Sequence, residues 1–178
     1  MFKWLFGGKE KEAAGPDVSG PPELVVVEET VDAPVERAFE IFVDRLGSWW
    51  PREYTWAKDN LAEIAIEPKY EGKCYERSKD GTESLWGTVL TVARPEHIVF
   101  AWQINADRSA EPNVALASRV DIRFSPAGDG RTSIVLVHRD FPRHGPGWQK
   151  YRSNMASKSG WPRILADYKK AVAEPAST

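Results

Sequence analysis

Between residues 62 and 140 the chain carries a run of short stretches rich in β-branched and aromatic residues, at about 62–67, 70–77, 83–93, 97–104, 115–125 and 131–140. Four of the joints read "EPKYEG", "SKDGTE", "ARPEH" and "PAGDGR", and each holds the Gly or Pro that tight turns require. Joints this short cannot carry a crossover helix, so consecutive strands pair antiparallel. In the fifth stretch Val120, Ile122 and Phe124 alternate with Arg119, Asp121 and Arg123, giving one face to a core and the other to water. An antiparallel sheet with one apolar face must be covered by something else in the chain.

Two flanking segments supply the cover. "LVVVEETV" (24–31) reads as a further strand, and a helix follows at Pro34, with Val35, Phe39, Phe42, Val43 and Leu46 on one stripe until Gly47. "SWWPREYTW" (48–56) is aromatic but interrupted by Pro51, and reads as a turn or short helix over one end of the core. From Gly147 to Val172 the period returns to three and four through Trp148, Tyr151, Met155, Trp161, Leu165, Tyr168 and Val172. That pattern predicts a helix of about 26 residues, roughly 39 Å long, lying on the concave face of the sheet. Within it "SGWPRILADY" (159–168) sets Gly160 and Pro162 around Trp161, which predicts a bend or a restart. The fold class is α+β: a curved antiparallel sheet of six to seven strands wrapped around a long C-terminal helix.

With 178 residues and 42% hydrophobic content the chain is expected to form one domain, over residues 24–174. Residues 1–23 read as a flexible N-terminal arm, because "KEKEAAGPDVSGPPE" has too little apolar surface to offset the entropy of ordering. The 24 basic and 26 acidic residues nearly cancel, which gives no field to attract nucleic acid. Phe2, Trp4, Leu5 and Phe6 form an apolar start without a second membrane signal, so no membrane contact is expected through residues 1–6. The lone Cys74 cannot form an internal disulfide, and the cytoplasm is the expected compartment.

Several segments together resemble a known family: "VDAPVERAFEIF", "WWP" (49–51), "GKCYERSKDGTESLWGTVL" (72–90), "IVFAW" (98–102), "SRVDIRFSP" (118–126), "TSIVLVHRDF" (132–141) and "GWPRIL" (160–165). They are similar to the helix-grip proteins of the START-like, or SRPBCC, superfamily, in its bacterial branch homologous to the activator of the heat-shock-protein-90 ATPase. The resemblance implies a cavity between sheet and C-terminal helix that holds an apolar or amphipathic small molecule. It does not imply a reaction, because relatives include ligand carriers, polyketide cyclases, oxygenase domains and co-chaperones.

No phosphate loop, dinucleotide fingerprint, HExxH, CxxC or GxSxG pattern is present, so neither a cofactor nor a metal is expected. His97, His138 and His144 have no ligand spacing. His138 should face inward with Ile134 and Leu136, either as a cavity-lining acid or base or as a structural histidine with a polar partner. Glu76 shares a face with Cys74; turned inward, it would need a cation or His138 as partner, although Tyr75 argues for the opposite parity. The expected ligand-binding residues are Trp86, Phe100, Trp102, His138, Trp148, Tyr151 and Trp161, with an opening between the helix and the loops around 48–56 and 141–147. The functional expectation is a binder of a hydrophobic or aromatic small molecule. The alternatives are a cyclase- or dehydratase-like enzyme using His138, and a chaperone ATPase regulator suggested by the family name alone.

Overall fold

The computed structural model describes residues 23–175, so the expected arm over 1–23 and its apolar start lie almost wholly outside the described residues. A single sheet is formed by β1 (Val25–Val31), β2 (Leu61–Ile66), β3 (Lys73–Ser78), β4 (Glu83–Ala93), β5 (His97–Trp102), β6 (Ser118–Pro126) and β7 (Thr132–Arg139). Its order is β1-β7-β6-β5-β4-β3-β2, and every pairing is antiparallel. Chain order and spatial order agree from β2 to β7, as short joints demand; only β1 travels, to pair along β7 with Val27 opposite Leu136. Register shifts at Leu61/Glu63, Cys74/Tyr75 and Val89/Thr91 bend the strands and help curl the sheet.

The concave face carries the core. Val120, Ile122 and Phe124 on β6 and Ile134 and Leu136 on β7 are buried, whereas Arg123 opposite them is exposed. Helix α1 (Val35–Val43) buries Phe39 and Phe42 against Phe124, with ring centroids 5.3 and 5.8 Å apart. Tyr168 meets Phe42 and Trp49 at 5.0 and 5.2 Å, and its hydroxyl donates to the Ala38 carbonyl at 2.7 Å. Each such aromatic removed from water stabilises by about 1.5–3 kcal/mol.

Two local expectations are corrected, and the bend or restart expected in the C-terminal helix is a restart. Residues 70–72 are a turn and not the start of β3: Glu71 has φ 59°, and a side chain on Gly72 would collide with the Glu67 carbonyl. Residues 103–117 form a loop pinned by an Ile104–Ala110 bridge, so β5 ends earlier and β6 begins later than alternation suggested. The C-terminal rod is two helices, α2 (Trp148–Ala156) and α3 (Trp161–Ala173). Gly160 caps α3 and Pro162 lies in its first turn, where a proline ring is preorganised and its missing N–H has no helical partner.

Candidate functional site

Three short 3₁₀ turns, Leu46–Ser48, Arg52–Tyr54 and Lys58–Asn60, carry the chain from α1 to β2 as a strap. Pro51 separates the first two of these turns and prevents a continuous helix, so the aromatics of this strap do not stack along one stripe. Between the strap, the loop after β5 and the break between α2 and α3 lies a half-open cleft of about 340 Å³. Trp50, Tyr54, Trp102, Ile104, Tyr151, Met155 and Ile164 wall it, and Arg108 stands at its polar side. The break between the helices is part of this wall, through Ser157, Ser159 and Gly160.

The strap is tied across the site by polar contacts. Trp56 Nε1 donates to the Arg108 carbonyl at 2.6 Å, and Arg108 Nη2 donates back to the Tyr54 carbonyl at 2.8 Å. Tyr54 donates its hydroxyl to the Ser159 carbonyl at 2.7 Å, and Arg163 pairs with Glu53 at 2.7 Å. Beneath the strap, Glu76 is 4% exposed and accepts the backbone N–H groups of Trp56 at 3.1 Å and Ala57 at 2.7 Å. The β3 register thus turns Cys74 and Glu76 inward and leaves Tyr75 to bond Glu63 outside. The partner expected for an inward Glu76 was a cation or His138; the strap backbone takes that place, and no Glu76–His138 pair is assembled.

Tyr151 and Trp102 form one rigid wall. The Tyr151 hydroxyl donates to the Ile104 carbonyl at 2.6 Å and accepts from Trp102 Nε1 at 2.7 Å. Burial pushes its pKa up to about 12, with the Trp102 N–H working in the opposite direction.

His138 is fully buried behind this wall, and its neighbours determine its tautomer. Trp161 Nε1 can only donate, and it does so to His138 Nδ1 at 2.9 Å. Hydrogen therefore sits on His138 Nε2, which donates to Ser118 Oγ at 2.8 Å. The Ser118 hydroxyl passes the direction on to His144 Nε2 at 2.7 Å, and His144 Nδ1 donates to Asn105 Oδ1 at 3.2 Å. Burial, with a smaller contribution from His144, holds the His138 pKa well below the usual histidine range. A neutral imidazole with both nitrogens occupied orders a core and has no free site for a substrate proton.

The other expected residues divide by depth. Trp102 and Tyr151 line the cleft, and Trp86 lines a small adjoining chamber. Trp161 is fully buried one layer back, against Trp102 at 5.3 Å and Trp50 at 6.2 Å, and Phe100 packs edge-on to Trp86 at 5.7 Å. Trp148 is half-buried on the first turn of α2. The segment 141–147, expected at the opening, instead sends Phe141 beneath His138 at 4.1 Å, and the loop of Ile104, Ala106 and Arg108 takes its place at the cleft. Sequence reasoning missed Trp50, Tyr54, Ile104, Arg108 and Ile164; of these only the aromatic density of "SWWPREYTW" was a signal. A second, more polar groove of about 600 Å³ lies beyond Trp56 and Glu76, between Asn60, Ser78, Lys79, Asp80, Thr82 and Ser84. Among the described residues no group of three or more His, Cys, Asp or Glu could hold a metal ion, and no helix is long and apolar enough to cross a membrane.

The fold recurs in solved structures. An anthrahydroquino-gamma-pyrone synthase, Txn09, superposes with a TM-score of 0.59 at 32% identity, covering 85% of this chain and 99% of its own. The self-sacrificing resistance protein CalC from Micromonospora echinospora gives 0.59 at 23% identity, over 85% of this chain and 96% of CalC. A protein from Nitrosomonas europaea gives 0.61 at 14% identity, over 85% of this chain and 94% of its own, which shows a shared fold alone. No curated protein matches the chain in sequence. The family model described as Activator of Hsp90 ATPase homolog 1-like protein matches residues 32–173, from the turn before α1 to the end of α3. A sheet curled over a split C-terminal helix, matched by that model from α1 to α3, places the chain in the Activator of Hsp90 ATPase homolog 1-like family of the START-like superfamily.

Proposed function

We propose that residues 24–174 form a START-like domain that binds a hydrophobic or aromatic small molecule between the sheet and the C-terminal helices. The observation that carries this reading is the cleft of about 340 Å³, with aromatic and aliphatic walls and few polar groups. Its size falls within the roughly 300–1,000 Å³ of small-molecule sites. On this reading Trp102 and Tyr151 contact the ligand, while Trp161, Phe100 and His138 hold the wall in place. The protein works in the cytoplasm, where the buried Cys74, its thiol pKa pushed up by burial, stays reduced.

The test is binding with the cleft open and closed. Native mass spectrometry and dye displacement with aromatic compounds and lipids should find ligands for the wild type. Met155→Trp, which fills the cleft from α2, should weaken them at least about tenfold with little change in Tm. Equal binding by both proteins would place the ligand elsewhere.

A second reading, a cyclase- or dehydratase-like enzyme, is favoured by the 32% identity to a synthase. It requires a proton-transfer group other than His138, whose nitrogens are both engaged within the core. A role in regulating a chaperone ATPase rests on the family description alone, and stimulation of such an ATPase by the purified chain is its direct test.

A further inference from the structure

Between the cleft and the polar groove lies a third space of about 10 Å³. It shares Trp50, Tyr54, Trp102 and Ile104 with the cleft, and Trp56 and Glu76 with the groove. A single oxygen-sized probe needs about 10–15 Å³, so this chamber has room for about one such group. Two of its lining residues carry polar groups with hydrogen-bonding capacity to spare. Trp86 is 3% exposed, and its Nε1 is, among the described residues, the buried side-chain nitrogen or oxygen without a hydrogen-bond partner. Glu76 is 4% exposed and gives one oxygen to each of two backbone N–H groups, which leaves lone pairs free on both. Buried donors are nearly always paired, so an unpaired indole N–H on a residue that lines a chamber calls for an acceptor.

Resting on the cleft reading above, we infer that this chamber receives one uncharged hydroxyl oxygen, carried at the leading end of an aromatic ligand whose body lies in the cleft. The oxygen accepts from Trp86 Nε1 and its hydrogen is donated to Glu76. Both halves of the chamber's chemistry are then used: a carbonyl satisfies Trp86 alone, an ammonium satisfies Glu76 alone, and an ionised oxygen is repelled by the carboxylate. The body of the ligand is aromatic for a geometric reason. Trp50 and Trp86 lie nearly parallel, 17° apart with centroids at 6.1 Å, and Trp102 stands tilted 45° to Trp50, so flat rings stand where the cleft and the chamber share their wall. The ligand class is therefore a hydroxyarene, a phenol-bearing ring system.

The probes are 2-naphthol and naphthalene, titrated into the full chain by tryptophan fluorescence with wild-type protein and Trp86→Phe, which keeps an aromatic wall and removes the donor. The ratio of affinities, naphthol over naphthalene, should fall about 3- to 10-fold in the variant, the worth of one net hydrogen bond. A measurement on the wild type covers a variant that does not fold: the indole ¹H–¹⁵N resonance of Trp86 should move downfield with 2-naphthol and not with naphthalene. If both probes bind but the ratio is unchanged and the resonance does not respond to the hydroxyl, the chamber holds water only; the inference is then overturned while the cleft reading stands. If neither probe binds, the cleft reading itself fails and takes this inference with it.

Discussion

Adding a proton to His138 would turn both ring nitrogens into donors, and the Trp161 N–H would then face a donor where it now has an acceptor. The fully buried site offers no carboxylate to the imidazolium among its hydrogen-bond partners, Ser118 and Trp161. His144, half-buried and hydrogen-bonded to Ser118 and Asn105, is also held below its usual range by burial, opposed by Glu111. Both folded-state pKa values lie below the unfolded value of about 6.5, so the unfolded chain binds more protons once pH drops below that point. Stability is therefore fully present above about pH 6.5 and declines as the solution is acidified towards the folded pKa values. The fully buried His138 contributes up to about 1.4 kcal/mol per pH unit in that window, and the half-exposed His144 less, because solvent screens it. Thermal melts of the wild type between pH 7.5 and 5 should show this loss, and His138→Gln should show a shallower one from a lower starting Tm. Equal slopes would remove His138 as the source.

At the scale of elements, the break between α2 and α3 depends on Gly160 much more than on Pro162. A Cβ on Gly160 would overlap the Met155 and Asn154 carbonyls, which are backbone and cannot swing aside. Gly160→Ala should cost about 3 kcal/mol or more, whereas Pro162→Ala, in a first helical turn, should stay within about 1 kcal/mol. Chemical denaturation of the two variants decides between this asymmetry and a proline-driven break, which predicts the reverse order. The periodicity of residues 147–172 was legible because a buried stripe repeats every three or four residues, and the interval between Met155 and Trp161 already interrupted it. Which breaker matters was not, because a clash between Gly160 and carbonyls five and six residues earlier exists only once the chain has turned back on itself. The parity of β3 was hidden for a similar reason. "KCYERS" places Cys74 and Glu76 on one face and Tyr75 and Arg77 on the other, and only the strap's two N–H groups make the face bearing a carboxylate the buried one.

Across the whole molecule, the strap and the loop after β5 close the concave face through reciprocal bonds between residues 54–56 and Arg108. Trp56→Phe removes the 2.6 Å bond to the Arg108 carbonyl and keeps the ring, so it should free the strap locally without unfolding the domain. Amide exchange of residues 50–57 should quicken several-fold and ligand dissociation should speed up with it, while the Tm falls by only a few degrees for a loss of about 1 kcal/mol. Unchanged exchange would mean that Glu76 and Tyr54 hold the strap unaided. The sequence by itself determined the antiparallel meander, the two helical covers and the inward set on β6, because alternation, helical period and turn chemistry are local and repeat along the chain. It also marked Trp102 and Tyr151 as wall residues, since both lie on elements that must face the core. Only the tertiary structure decided which aromatics border open space and which fill the layer behind. It also decided that His138 is locked in a one-way chain of hydrogen bonds, and that Glu76 serves the strap. Those outcomes depend on contacts between residues 20 to more than 100 positions apart, such as Trp56 with Glu76 and Tyr54 with Ser159, and no short-range pattern encodes them.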